Sequence, residues 1–333
     1  MSSIKKCIID KVINYKPIWL MRQAGRYLPE FREIRKKNQN FVNLCLNNNL
    51  VPEITLQPLK RFDLDAAIIF SDILMVPYGL GQDLNFTKGY GPKLGDLNIK
   101  ILSNASESKF EKKLNSIYKS IEKTSKNSIL RNKDLIGFVG APWTLLVYMI
   151  NKSSPKKDIK KNFFDDKELI ENTLNLLIKY IKIHISRQIK SGVSIIQIFD
   201  SWAGLLDEKD LEKYVYIPTK KIVDHTQSLN VPVICFPRNI KNYQKFVNFV
   251  KPDAISIDYN VDPTKILNNI DIPIQGGIHP ELLLSDKITL KREVKKYKEV
   301  FKNHPYIFNL GHGVLPETDP NMVEYLIKFV KDN

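Results

Sequence analysis

Cysteine is scarce in this 333-residue chain: Cys7, Cys45 and Cys235 are the only three, and they lie far apart. An odd, dispersed set supplies neither a disulfide framework nor a paired zinc motif. Histidine is also sparse, with five residues at positions 184, 225, 279, 304 and 312, none in a His-x-His or His-x3-His pair and none within two residues of a cysteine. A metal site is therefore not expected. No Gly-x-Ser-x-Gly elbow occurs, and no glycine-rich dinucleotide fingerprint or phosphate loop follows any candidate strand, so serine-hydrolase and nucleotide-binding readings lose their support. Long apolar runs are missing too. Lysines interrupt even the most apolar helical stretch, Leu174 to Ile185, well short of the roughly 20 residues of a membrane span. The first ten residues carry Lys5, Lys6 and Asp10 and do not read as a signal peptide. The expectation is a cytoplasmic protein with no membrane partner.

What the chain has in excess is positive charge, 51 Lys and Arg against 36 Asp and Glu, for a formal +15. Nucleic acid is the obvious partner to consider. The lysines of the stretches Lys109 to Lys133, Lys156 to Lys161 and Lys287 to Lys302 are mixed with Asn, Ser, Asp and Glu, on segments whose apolar residues recur at helical spacing. That is the pattern of solvated outer helix faces, and the aromatics do not interleave with them as a stacking platform would. No nucleic-acid partner is expected. A basic RNA-binding scaffold would instead depend on the Lys156 to Lys161 cluster and not on the arginines described next.

Short apolar, β-branched runs mark eight candidate strands: 18–21, 66–70, 135–139, 194–199, 231–236, 254–258, 273–277 and 306–310. Helical periods fill the intervals 52–62, 107–125, 165–191, 207–229, 239–250, 263–269 and 290–302, and Asp319-Pro320 announces a last helix. Eight strands alternating with helices predict an α/β fold of the single (β/α)8 barrel type, one domain over 1–333, with the active-site cleft at the C-terminal ends of the strands. The irregular stretch 79–100 is expected to be a hairpin or loop excursion.

The polar residues that follow each strand then become the site. Arg22 and Arg26 follow the first, with Gly25 between them, and form an anion clamp suited to a ligand with several carboxylates. Ser71 and Asp72 follow the second, Ala141-Pro142-Trp143 and then Tyr148 the third, and Asp200, Ser201 and Trp202 the fourth. Arg238 follows the fifth, Asp258 and Tyr259 the sixth, His279 the seventh, and Gly311-His312-Gly313 the eighth. Asp72 ends an apolar run, where an unpaired carboxylate is costly and needs a donor or cation. On pattern alone Tyr148 reads as a core aromatic, and His312 is as suited to a structural as to a catalytic place.

Five stretches in order resemble one family. They are Met21-Arg22-Gln23-Ala24-Gly25-Arg26-Tyr27-Leu28-Pro29-Glu30-Phe31, Ile69-Phe70-Ser71-Asp72-Ile73-Leu74, Gly137-Phe138-Val139-Gly140-Ala141-Pro142-Trp143-Thr144 with Tyr148-Met149, Ile198-Phe199-Asp200-Ser201-Trp202-Ala203-Gly204, and Asn309-Leu310-Gly311-His312-Gly313. They are similar to the signatures of the uroporphyrinogen decarboxylases. The resemblance implies a homodimeric carboxy-lyase that needs no metal or organic cofactor and converts the four acetates of uroporphyrinogen III to methyls, giving coproporphyrinogen III. By the same resemblance Asp72 accepts pyrrole N–H groups and stabilises a cationic intermediate, and Arg22 helps deliver a proton. Arg22, Gln23, Ala24, Gly25, Arg26, Arg35, Tyr148, Phe199, Ser201 and His312 contact the substrate. Two stretches depart from the family pattern, Gly277-Ile278-His279-Pro280 and Asn151-Lys152-Ser153-Ser154-Pro155, so no role is carried to His279 and the shape of the 151–155 loop is left open. A related zinc methyltransferase group carries a His-x-Cys motif where this chain has Val233-Ile234-Cys235.

Overall fold

The computed structural model describes residues 2–87, 91–98, 102, 104–155, 158–159 and 163–332. Positions 88–90 and 99–100 of the expected excursion, and most of the Lys156 to Lys161 run, lie outside the described residues. Among these residues seven parallel strands form one sheet in the order β1 (Ala66–Ile68), β4 (Asp134–Gly140), β5 (Ile195–Asp200), β6 (Val233–Pro237), β7 (Ala254–Ile257), β8 (Ile274–Gly276) and β9 (Tyr306–Ile307). The antiparallel pair β2 (Leu84–Thr87) and β3 (Gly91–Leu94) stands apart from it. Successive side chains of a strand point to opposite faces, and the apolar residues accordingly divide into two cores. Ala66, Ile68, Ile136, Ile195, Ile234, Ala254 and Ile307 fill the inside together with Trp19 and Met21. Ala67, Ile69, Leu135, Ile196, Ile198, Cys235 and Ile255 face the surrounding helices. The helix Ser3–Ile9 stoppers the interior with Ile4, Cys7 and Ile8.

The eighth stave is the surprise. The predicted strand 18–21 pairs only at Ile18, with Phe308, because the chain turns directly afterwards, the Gln23 amide donating to the Leu20 carbonyl at 2.9 Å. Backbone groups must still be satisfied, and side chains supply what a strand would have. The Phe308 amide donates to the Pro17 carbonyl at 2.8 Å and the Trp19 amide to the Phe308 carbonyl at 3.2 Å on one edge, and the Asp65 amide donates to the Ile18 carbonyl at 2.9 Å on the other. The Asp65 carboxylate takes the Ile18 amide, Asn309 Oδ1 takes the Met21 amide, and Gln23 takes the Leu20 amide and donates to the Ala66 carbonyl. The segment 17–23 therefore bridges β9 and β1 and closes the barrel. Inside, Trp19 Nε1 donates to Gln275, which donates in turn to Gln197 and Ser256, a buried polar layer that fixes the depth of the closing segment while leaving Gln197 Nε2 without a partner.

Among the described residues no helix is long and apolar enough to cross a membrane. The interval 207–229 differs from the single helix expected. Its middle, Glu212–Tyr216, widens to a π-helix ahead of Pro218, whose ring lacks an N–H and would crowd the carbonyl four residues back.

Asp65 is only 7% exposed and also accepts the Tyr15 hydroxyl at 2.6 Å. Replacing it by Ala strands the buried Ile18 amide, takes the acceptor from the part-buried Tyr15 hydroxyl, and is expected to destabilise the protein by about 3 kcal/mol. Asp63→Ala, which removes a carboxylate 71% exposed, should cost no more than about 1 kcal/mol. Urea unfolding midpoints of the two variants check the contrast.

Candidate active site

All seven strands run the same way, so the residues that follow them share one rim. Arg22 enters it from the closing segment with a left-handed backbone, φ 61°, a conformation that non-glycine residues hold at a cost and that concentrates at functional sites. Gly25 is needed three residues on, where a Cβ would come within 2.8 Å of the Arg22 carbonyl. Gly313 makes the opposite contact, since a Cβ there would lie 2.3 Å from Arg22 Cδ. The Arg22 side chain thus runs across the 311–313 turn. Gly311 brings that same turn against the Tyr259 amide, 2.3 Å from where its Cβ would stand, so His312 is held between two close backbone approaches.

His312 is half-buried, and burial, followed by the charges of Arg22 and Arg238, pushes its pKa down to about 3. It is a neutral imidazole at physiological pH, able to donate from one nitrogen and accept at the other. Arg22 reaches solvent, yet the cleft walls desolvate it enough to lower its pKa, with Asp72 and Tyr148 acting in the opposite sense. Asp72 is half-buried at the end of the Ile69-Phe70-Ser71 run. Its carboxylate accepts the Leu74 amide at 2.9 Å, and burial raises its pKa, opposed by that hydrogen bond and by Arg22. Tyr148 projects from the helix Pro142–Asn151. Burial raises its pKa, while Ser154 and Trp202 lie near enough to its hydroxyl to lower it. Phe199 stands edge-on to Phe138 at 5.7 Å and to Phe236 at 6.4 Å, giving the cleft an apolar floor, and Ser201 follows on the next loop. The cleft therefore offers cations, one isolated carboxylate, a neutral imidazole and a flat apolar surface. That combination suits an apolar ring bearing several carboxylates.

Comparison with known proteins fits this inventory. Residues 2–333 match the family described as Uroporphyrinogen decarboxylase (URO-D). The chain belongs to this family. It is 40% identical over 336 residues to the uroporphyrinogen decarboxylase of Rickettsia bellii (strain RML369-C), covering 97% of each protein. It is 39% identical over 342 residues to the uroporphyrinogen decarboxylase of Orientia tsutsugamushi (strain Ikeda), covering 100% of this chain and 98% of that protein. Among solved structures, a methyltransferase from Methanosarcina mazei superposes with a TM-score of 0.79 over 99% of this chain and 97% of its own, at 14% identity, a likeness of fold alone. The protein is a carboxy-lyase of porphyrin biosynthesis that acts on uroporphyrinogen. Cys235, on which the zinc alternative turned, is buried in β6, and burial holds its thiol well above the usual range.

The sequence-predicted residues of this uroporphyrinogen decarboxylase do not all gather in the same way. Arg22, Asp72, Tyr148 and His312 interact electrostatically, and Arg26 acts on Arg22 and Arg35. The buried Gln23 side chain works at the seam, accepting the Leu20 amide and donating to the Ala66 carbonyl. Arg35 is partly committed as well, donating to the Asn38 and Gln39 carbonyls and lying 5.2 Å over the Phe41 ring. Asp258 is structural, accepting from the Asn239 and Asn260 amides and the Tyr243 hydroxyl. His279 caps its own short helix by accepting the Glu281 amide. The 151–155 loop turns at Lys152, φ 60°, and pairs Ser153 with Lys93.

Sequence reasoning passed over Thr144 and left Asp200 without a role. Thr144 Oγ1 donates to Asp200 Oδ1 at 2.6 Å and accepts the Trp202 amide at 3.1 Å, while Trp143 Nε1 donates to the Trp202 carbonyl. These bonds tie the Ser201 loop to the Tyr148 helix. The signal was present in Trp143-Thr144 facing Asp200-Ser201-Trp202, but only the fold shows that β4 and β5 are neighbours. Asp200 is 3% exposed, its Oδ2 has no partner, and burial pushes its pKa up to about 7.

A carboxyl whose pKa is raised on folding contributes stability in full below its unfolded pKa of about 4 and loses it as pH rises through the folded value. Relative to Asp200→Asn, which does not titrate, the wild type should therefore lose stability between about pH 4 and pH 7 by up to about 1.4 kcal/mol per pH unit, then run parallel. Urea midpoints of both proteins at pH 5, 6, 7 and 8 measure that difference.

Proposed function

We propose that this cleft removes carbon dioxide from the four acetate side chains of uroporphyrinogen III, leaving methyl groups and releasing coproporphyrinogen III, with no metal or organic cofactor. The observation that carries the reading is the state of Asp72. It is a half-buried carboxylate with a single backbone donor and, among the described residues, no ion pair, although it lies in a cleft of arginines. Such a group needs further donors. The pyrrole N–H groups of a tetrapyrrole supply them.

The chemistry follows from where the electrons must go. Protonation of the pyrrole carbon beside the acetate makes the ring an iminium-like cation. The bond to the carboxylate then breaks, carbon dioxide leaves, and the electron pair flows into the ring to leave an exocyclic methylene. A second proton on that carbon makes the methyl, and loss of the first restores the aromatic ring. The net change is one proton for one carbon dioxide. Asp72 faces the cation that exists only along this path, and fixed charge aimed at developing charge is the strongest single catalytic device available to a site without a cofactor. Arg22, Arg26 and Arg35 hold carboxylates. Arg22 orients the acid that delivers the proton, a water or a carboxylic acid of the substrate, because a guanidinium is itself too weak an acid. Tyr148, Ser201 and His312 contact substrate polar groups as donors and acceptors, Phe199 packs on the ring, and the backbone of Gln23, Ala24 and Gly25 lines the entry. We also read the enzyme as a single barrel domain that works as a homodimer in the cytoplasm, which sedimentation and fractionation test.

Anaerobic incubation with uroporphyrinogen III and a chelator, with chromatography of the oxidised porphyrins, should give seven-, six-, five- and finally four-carboxylate products. Unchanged substrate from folded wild-type protein sinks the reading. Asp72→Ala should lower kcat by about 100- to 1,000-fold while the protein stays folded. Gly313→Ala offers a subtler check. Its new methyl would collide with the Arg22 side chain and not with backbone, so activity should fall at least about tenfold with thermal stability nearly intact. Equal activity would show that the Arg22 placement is not needed.

A further inference from the structure

Arg238 is a cation without an anion. It follows β6 directly, and its backbone is fixed on both sides: its amide donates to the Asp200 carbonyl at 3.1 Å and its carbonyl accepts the Gly204 amide at 3.0 Å. Its Nη2 lies 3.4 Å from the Tyr259 hydroxyl, while its Nε is buried with no partner. Among the described residues the arginines that form ion pairs are Arg61, Arg187 and Arg292, so Arg238 has none. The nearby carboxylate, Asp258, is already occupied by two amides and the Tyr243 hydroxyl. A guanidinium whose Nε–H is buried without a partner is unfavourable unless an anion completes it.

Its position says which anion. Arg238 is near enough to Arg22 and His312 for its charge to act on both, so it faces the cleft from the wall opposite the Arg22 segment. Tyr259 is held in turn by His279, with ring centroids 4.2 Å apart. His279 Nδ1 accepts the Glu281 amide at 3.2 Å, which fixes the orientation of the imidazole. The departure at Gly277-Ile278-His279-Pro280 thereby gains a purpose, since His279 backs the tyrosine that backs the arginine.

We propose that Arg238, braced by Tyr259 and His279, is a further carboxylate-binding residue of the cleft, gripping one substrate side chain on the wall across from Arg22. The proposal rests on the tetrapyrrole reading above. A planar fork with Nε and Nη2 on one edge is the group that holds a carboxylate by two parallel hydrogen bonds, and both the acetates and the propionates of the substrate present that chemistry.

Binding of uroporphyrin, an unreactive octacarboxylate, and of coproporphyrin, which keeps only the propionates, can be followed by fluorescence quenching in wild type, Arg238→Met, Arg238→Lys and Tyr259→Phe, beside steady-state kinetics with uroporphyrinogen III. Arg238→Met is expected to weaken uroporphyrin binding and raise KM by about 10- to 100-fold, with a much smaller effect on kcat. Arg238→Lys should recover part of the loss because it restores charge without the fork, and Tyr259→Phe should weaken binding by about threefold. Loss on both porphyrins identifies a propionate as the gripped group, and loss on uroporphyrin alone identifies an acetate. Unaltered binding of both porphyrins to folded Arg238→Met overturns the proposal. Should that variant not fold, unaltered binding to Arg238→Lys and Tyr259→Phe does so. Absent turnover by the wild type would count against the decarboxylase reading instead, because the porphyrin-binding arm does not depend on turnover.

Discussion

The barrel depends on one closure, the insertion of residues 17–23 between the first and last strands of the parallel sheet. Without it the sheet has two edges of unpaired amides and carbonyls, which are costly when buried and prone to pairing with other chains. The closing segment is too short to be a strand, and its backbone bonds to the neighbouring strands are supplemented by side chains: Asp65, Gln23 and Asn309. This arrangement also builds the site. The turn that ends the segment aims Arg22 into the mouth, and the Val314 amide donates to the Met21 carbonyl, so the His312 turn is tied to the same residues that close the barrel. Stability and site geometry therefore share a seam, and damage at Asp65 or Asn309 reaches both.

Electrostatics in the cleft are set by an imbalance. Arg22 and Arg238 converge with few acids to neutralise them, and burial, followed by their field, keeps His312 neutral. The two carboxylates in the neighbourhood are treated differently. Asp200 is sealed behind Thr144 and serves to position the Ser201 loop, whereas Asp72 keeps one backbone donor and is left open to the cleft. The chain's wider positive charge is of another kind. Many of its lysines stand on outer helices in exposed pairs such as Lys213 with Glu171 and Lys328 with Glu324, where salt limits their reach to roughly 10 Å. They can draw a polyanion toward the protein but cannot orient it.

Most of the strands were legible in the sequence because buried parallel strands are continuous apolar runs, and the ends of those runs located Arg22, Asp72, Tyr148, Ser201 and His312. What was not legible depended on neighbours that the linear order conceals. The 18–21 run is apolar like a strand, yet side chains from 65, 23 and 309 take over its pairing. Gln23 reads as a ligand contact beside two arginines, and its amide also joins the seam at Leu20 and Ala66. The sequence placed Arg238 at the end of a strand without a role, and only Tyr259, His279 and the occupied Asp258 show that none of the described residues answers its charge. Thr144 stands in a legible motif, but its partner Asp200 lies on the adjacent strand, which only the fold reveals.

In the mechanism proposed above, the division of labour between arginines and aspartate follows from when each charge is present. Carboxylates that are not reacting keep their charge from bound substrate to transition state, so a guanidinium that grips them lowers both states alike and governs KM more than kcat. The ring cation appears only after protonation. A carboxylate opposite the ring contributes little to an uncharged pyrrole beyond its N–H bonds and much to the cation, so its effect falls on kcat. The same reasoning explains why Asp72 is not paired with Arg22, although the two are close enough to influence each other's proton affinity. An ion pair would quench the negative charge in the ground state and leave less of it to meet the cation. Arg22 is instead led past Gly313, and Asp72 is held by the Leu74 amide. On the proposed mechanism, the absence of a bond between the two charged groups leaves the Asp72 charge free to meet the cation.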